Sequence, residues 1–383
     1  MKNKFSYLFS FTRKYYERNT DKISLHEPVF FGNEKNYVND SIESTFVSSV
    51  GKYVDLFENK MSDFLKLKKS VAVVNGTSAL QVCLKLCGVK SDNEVLTQSL
   101  TFIATANAIS YLNAKPVFID VDLDSFGLSP KSLNEFLDEF GDKREDGTYN
   151  KFSGKRIAAC MPMHTFGFIG KIEEITKICN QWNIPVVEDA AEALGSKYKG
   201  KYAGSFGKMS AFSFNGNKVI TTGGGGMIVT SIDKLGDEAK HITTTSKIPH
   251  KWEYDHDNVG YNFRMPNINA AIGCAQLENL KKIIQNKSLL HFEYKTLLSE
   301  IGIELVSPPK DNEWNYWLNC VKLNDRNERD LFLKESHLNG ILNRPIWKLL
   351  FKLDMYSNCQ RDSQKNSIFL EDRVVNIISS AKF

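Results

Sequence analysis

From about residue 70 the chain alternates short β-rich runs with helical stretches, and this alternation restricts the possible fold more than any other feature. Ser70–Val74, Glu94–Thr97, Pro116–Val121, Arg156–Met161, Pro185–Glu188, Ser210–Phe214 and Met227–Thr230 read as strands. A helix from Ser78 to about Leu86 follows the first, and TANAISYL is helical between the second and third. Ile172, Ile175 and Ile178 mark one face of an amphipathic helix over Ile172–Trp182. Strands spaced by helices in this way predict a largely parallel sheet covered on both faces. The polar stretch Leu137–Lys155, with Gly141, Gly147 and Gly154, reads as an excursion from that sheet. A helix from about Ile268 through the 280s carries the chain out of the α/β region. At 383 residues the chain exceeds one ordinary core. The expected division is an arm over 1–30, a large α/β domain over 31–284 and a smaller domain over 285–383.

Several function classes drop out early. A net charge of +4, with dispersed lysines and no basic stripe, does not suggest nucleic-acid binding. No apolar run is long enough to span a bilayer. The N-terminal MKNKFSYLFSFTRKYYER lacks a small-residue cleavage site and is expected to pack as an arm or helix. The seven cysteines include no C-x-x-C pair, and Cys83, Cys87, Cys160, Cys179 and Cys274 sit in apolar contexts. They imply neither a disulfide framework nor a metal site, and the expected compartment is the cytoplasm.

Three segments carry chemistry. In VVNGTSAL a strand ends, Gly76 allows a tight turn, and Thr77 and Ser78 open a helix. Free N–H groups of Gly76, Thr77 and Ser78 would bind an anion there, although a plain cap by Thr77 or Ser78 explains the same residues. In PVVEDAAEA a buried strand delivers acids at its C-terminal end, where open α/β sheets place ligands. Asp189 could serve a metal, act as a base, pair with a heterocyclic nitrogen, or simply cap a helix. In SAFSFNGNKVITTGGGGM a strand runs into a loop carrying Lys218, enclosed by Phe212, Phe214, Val219 and Ile220 and followed by four glycines. The order of glycines and lysine does not make a Walker loop, and NGTSAL is not the G-x-G-x-x-G turn of a nicotinamide dehydrogenase.

Taken together, the three segments fit one cofactor. A phosphate cradle, an acid that keeps a pyridine nitrogen protonated and a lysine amine are the minimal set for pyridoxal phosphate.

The succession NGTSAL, VVEDAAEALGS, FSFNGNKVITTGGGGM and GYNFRMPNINAAIGCAQLE resembles the sugar aminotransferases of the DegT/DnrJ/EryC1/StrS family, from about residue 27 to the end. VLTQSLTFIATANAI, MPMHTFG, HITTTSKIPH, NRPIWKLL and VVNIISS resemble the branch that serves bacillosamine and legionaminic acid. The resemblance implies a pyridoxal-phosphate transferase of fold type I, with a mostly parallel seven-stranded sheet and a smaller C-terminal α/β domain. It implies Lys218 as the Schiff-base lysine and Asp189 as the partner of the pyridine nitrogen. Thr77, Ser78 and Ser213 fall where the family holds phosphate, Phe102 where it stacks an aromatic on the ring, and Glu192 near the ring hydroxyl. Asn262 matches an asparagine that reaches the neighbouring subunit's cofactor, so a homodimer with shared sites is expected. Two positions depart from the common pattern: Gly223–Gly226 lacks the frequent acid, and Ile378 replaces a proline.

The implied reaction moves an amine from L-glutamate to C4 of a UDP- or GDP-linked 4-keto-6-deoxy sugar. Candidate substrate contacts are Ser49, Gly51, His164, Asn315, Tyr316 and Arg344, the last suited to a carboxylate. Each has an equally good structural explanation. The competing readings are another sugar aminotransferase, such as a perosamine synthase, a related dehydratase, against which Lys218 argues, and a catalytically idle cofactor-binding regulator.

Overall fold

Apolar β-branched runs bury both faces of a sheet, and in this protein they do so around residues 69–230. The computed structural model describes residues 4–383. Strands Lys69–Val73, Gly226–Thr230, Met209–Ser213 and Val187–Asp189 lie side by side in that order. Bridges Cys160–Val186 and Met163–Asp189 join them to Arg156–Met161, then Glu94–Gln98 and Lys115–Ile119. The result is one seven-stranded sheet in which only Gly226–Thr230 runs antiparallel to its neighbours. Helices Gly76–Leu86, Ala104–Ser110, Pro130–Phe140, Ile172–Gln181 and Asp233–Thr243 cover it.

The polar 137–155 stretch is more ordered than its composition suggests. It continues from Pro130–Phe140 into a hairpin, Gly141–Arg144 with Gly147–Asn150. The hairpin takes one end of the Arg156–Met161 edge, at Thr148–Ile157, while Val186 takes the other.

Helix Asn267–Glu300 is unbroken for 34 residues and runs straight through residue 284. Its second half carries a four-stranded antiparallel sheet, ordered Glu304–Leu305, Cys320–Lys322, Val374–Asn376, Arg344–Pro345. Helix Lys4–Tyr16 buries Phe5, Leu8 and Phe9 against Leu290, Tyr294, Phe332 and Val375 of this region. The chain near residue 360 then returns to the large sheet, where the Phe118 N–H donates to the Gln360 carbonyl (2.9 Å) and covers the outer strand. Among the described residues no helix is long and apolar enough to cross a membrane.

Candidate active site

Parallel strands end together, so residues far apart in sequence arrive at one rim. Lys69–Val73 leads into Asn75–Thr77, Val187–Asp189 ends on Asp189, and Met209–Ser213 leads through a loop to Lys218. Their ends open on a cavity of about 690 Å³, which Gly76, Thr77, Phe102, Asp189, Glu192, Ser213, Lys218 and Arg344 all line. Trp317 and Trp347 from the C-terminal region complete its wall.

The first turn of helix Gly76–Leu86 differs in one detail from the sequence reading. The cap is Asn75, not Thr77 or Ser78: its Oδ1 accepts the Ser78 N–H at 2.8 Å. The Ser78 N–H is thereby taken, Ser78 does not line the cavity, and the N–H groups of Gly76 and Thr77 are those left without an intrahelical acceptor. Glycine is required here by close packing. A Cβ on Gly76 would come within 2.9 Å of Ser213 Cβ, and one on Gly226 would overlap the Asn75 carbonyl. The glycine run therefore lets the antiparallel strand pass directly against the Asn75–Gly76 turn.

Asp189 is buried, and each of its oxygens is held. Oδ2 accepts from Thr105 Oγ1 at 2.8 Å, and Oδ1 from the Ala191 N–H at 3.2 Å. Burial raises its pKa, while Thr105, the Ala191 N–H, Lys218 and His164 act in the opposite direction. Lys218 Nζ lies 3.4 Å from Glu192 Oε1 and 4.3 Å from the Trp317 ring centroid. Trp317 is tied to the lysine loop by its Nε1–H, which donates to the Asn217 carbonyl at 2.7 Å.

Glu192 is buried in the cavity wall, and its Oε2 accepts the Phe166 N–H at 2.9 Å. Burial raises its pKa to about 7, against the pull of Lys218 and that N–H. A raised carboxyl pKa means the folded chain holds a proton that the unfolded chain releases. Stability from this group is therefore present below pH 4.5 and lost as pH rises from there to about 7. In the cofactor-free protein, Glu192→Gln is expected to remove this loss, by up to about 3 kcal/mol at neutral pH. Urea unfolding of both proteins at pH 5 and pH 8 checks it. Parallel stability curves would show that Glu192 ionises freely.

Other sequence candidates are not brought to the cavity. His164 is buried with Nε2 3.0 Å from Glu188 Oε2, and Glu188 also accepts the N–H groups of Gly204, Phe206 and Gly207. Burial works to raise the Glu188 pKa, but His164 and these N–H donors outweigh it and hold it low. The pair locks the 204–207 loop against the strand that carries Asp189. Asn315 is likewise a structural tie: Nδ2 donates to the carbonyls of Glu192 (2.8 Å) and Leu194 (3.0 Å), and Oδ1 accepts the Trp317 N–H. Tyr316 packs between Trp314 and His291. In the single chain Ser49 and Gly51 line a different cavity, of about 190 Å³. Asn262 is exposed, and its Oδ1 accepts from Arg264 Nε at 2.9 Å.

The residues at the large cavity fit pyridoxal phosphate. Two free N–H groups and the Ser213 hydroxyl suit a phosphate, a buried acid suits a ring nitrogen, and a lysine amine shares the same space. No group of three or more His, Cys, Asp or Glu side chains among the described residues could hold a metal ion.

Comparison with known proteins agrees with this chemistry. The model of the DegT/DnrJ/EryC1/StrS aminotransferase family matches residues 31–382. EpsN of Bacillus subtilis strain 168 is 36% identical over 331 residues, 86% of this chain and 82% of that one. GDP-perosamine synthase of Escherichia coli O157:H7 is 36% identical over 335 residues, 88% of this chain and 87% of that one. Helicobacter pylori PseC, an aminotransferase involved in pseudoaminic acid biosynthesis, shares the fold with a TM-score of 0.83. That match covers 93% of this chain and 94% of PseC at 22% identity. With its family match running nearly end to end, the chain belongs to the DegT/DnrJ/EryC1/StrS aminotransferases and is a pyridoxal-phosphate enzyme of fold type I.

Proposed function

We propose that this enzyme transfers the amino group of L-glutamate to C4 of a nucleotide-linked 4-keto-6-deoxy sugar, a UDP- or GDP-2-acetamido-2,6-dideoxy-hexos-4-ulose. The product would serve bacterial surface-glycan or nonulosonic acid biosynthesis in the cytoplasm. The observation that carries the reading is the meeting of Lys218, Asp189 and the Gly76–Thr77 N–H pair in one cavity roomy enough for a cofactor and a sugar. The sequence likeness to GDP-perosamine synthases supports a nucleotide-sugar acceptor and favours testing GDP as well as UDP.

When bound, pyridoxal phosphate supplies the electron-withdrawing ring that lets an amino group pass from one carbon to another. In this reading the protein's residues divide the remaining work. The Gly76 and Thr77 N–H groups and Ser213 hold the phosphate, and Phe102 covers a face of the ring. Asp189 keeps a proton on the ring nitrogen. Lys218 anchors the cofactor at rest and moves a proton at the reacting carbon, with Glu192 beside it. Trp317 and Trp347 exclude water, and Arg344, exposed at the rim, receives the donor's carboxylate.

A panel of UDP- and GDP-linked 4-keto sugars with L-glutamate, read by mass spectrometry, tests the proposal. A mass gain matching amine-for-carbonyl exchange is the expected result. No product from any member of the panel would refute it.

We further propose a homodimer in which Asn262, Ser49 and Gly51 serve the partner's site, since in one chain they lie away from the Lys218 cavity. Mixing Asn262→Ala with Lys218→Ala subunits should then restore part of the activity. Mixed dimers would contain one site carrying both defects and one carrying neither. No recovery, with subunit exchange verified by native mass spectrometry, counts against shared sites.

A further inference from the structure

Asp189 meets a chain of hydroxyls whose direction its own charge fixes. With Asp189 ionised, as the proposed pairing with a ring nitrogen requires, its carboxylate only accepts hydrogen bonds, so Thr105 Oγ1 donates the 2.8 Å contact to Asp189 Oδ2. That leaves the Thr105 oxygen free to accept, and Thr101 Oγ1 stands 2.8 Å from it. With Thr105 donating to Asp189, Thr101 is left as the donor of this contact; its other acceptor, the Phe102 carbonyl, is more distant at 3.4 Å. The two bonds polarise each other toward the carboxylate. All three residues are buried, with Thr101 at 0%, Thr105 at 1% and Asp189 at 3% exposure. Little water competes for these bonds.

The arrangement is also economical in sequence. Thr105 follows Phe102 by three residues, within the turn that opens helix Ala104–Ser110. The segment that presents an aromatic to the cavity thus also presents the hydroxyl that grips the acid. We infer that Thr105, backed by Thr101, is a positioning residue that keeps Asp189 ionised and aimed into the cavity.

This rests on the reading of Asp189 as the partner of the cofactor's ring nitrogen. The other titratable groups acting on Asp189 are Lys218 and His164, which favour its charge. Glu192 and Cys83 are coupled to it from neighbouring elements, and the negative charge of either would oppose it. Burial is the largest influence raising the Asp189 pKa, and the Thr105 bond is first among those opposing it.

Thr105→Val removes the hydroxyl at nearly constant shape, and Thr105→Ser retains it. In the cofactor-loaded enzyme, Thr105→Val should lower kcat about tenfold and move the acidic limb of its pH profile upward. The KM for the keto sugar should change little. The absorbance of the bound cofactor, titrated without substrate, should show ring protonation weakened in Thr105→Val and restored in Thr105→Ser.

Wild-type spectra and pH profile in Thr105→Val would overturn the inference. So would a serine variant as impaired as valine, because the methyl group and not the hydroxyl would then matter. Asp189→Asn run in parallel separates the two ideas. If it shifts the spectrum and Thr105→Val does not, the positioning role alone fails; if neither shifts, the reading of Asp189 itself fails.

Discussion

Lys218→Ala is expected to give a folded protein that binds pyridoxal phosphate reversibly and transfers no measurable amine. The Lys218 side-chain nitrogen makes one long contact, 3.4 Å to Glu192 Oε1, and lies over Trp317, so few polar contacts are lost with it. Its chemical loss is far larger. Positioned general acid–base groups contribute about 10²–10⁴-fold, and in the proposed mechanism Lys218 would also supply the amine that anchors the cofactor. A fall of about 10⁴-fold or more in kcat/KM is therefore expected, with both half-reactions affected. In the unmodified protein, borohydride should fix the cofactor to a single peptide containing Lys218. A label on any other lysine, or turnover within tenfold of normal in the alanine variant, would remove Lys218 from the centre of the mechanism.

Some of this arrangement is legible in the sequence because its chemistry is local. NGTSAL announces a strand, a tight turn and a helix start within a few residues, and the structure differs in starting the helix at Gly76 with Asn75 as its cap, which takes the Ser78 N–H. VVEDAAEA ends a buried strand on acids, and parallel strands of this kind place such ends together. Thr105 and Trp317 gave no comparable signal. Thr105 reaches Asp189 across 84 residues, and Trp317 reaches the Asn217 carbonyl across 100. Only the strand order and the path of the C-terminal region set those distances.

The residues away from the cavity teach the converse lesson. His164 and Asn315 are attractive as ligands by residue type, yet their hydrogen-bonding capacity goes to Glu188 and to the Glu192 and Leu194 carbonyls. A buried polar group must be satisfied, and its partner is a tertiary fact. The Gly141–Asn150 hairpin was hidden for a different reason. GDKR carries none of the β-branched and aromatic residues that mark strands, and in GTYN Thr148 and Tyr149 stand between a glycine and an asparagine that favour turns. They pair because Arg156–Met161 offers them an open edge.

Asp189→Asn is expected to leave the fold and cofactor binding largely intact while slowing both half-reactions by about a hundredfold or more. The amide matches the carboxylate in shape and can keep both existing partners. Its oxygen can accept the Ala191 N–H, and its nitrogen can donate to Thr105 once that hydroxyl turns toward Thr101. Packing is therefore preserved, and what disappears is one buried negative charge. An opposite charge within a few ångströms typically moves a pKa by about 1–3 units, each worth roughly 1.4 kcal/mol. If Asp189 pairs with the ring nitrogen as proposed, that nitrogen would lose its proton at neutral pH without this charge, and the cofactor's electron-withdrawing power would drop. A barrier raised by about 3 kcal/mol corresponds to roughly a hundredfold in rate. In the proposed reaction donor and sugar would both react at the same ring, so stopped-flow should show the glutamate and keto-sugar steps slowed together. Slowing of the sugar step alone would place Asp189 at the acceptor, and normal rates in both would make it a strand-end acid held by Thr105 for structural reasons.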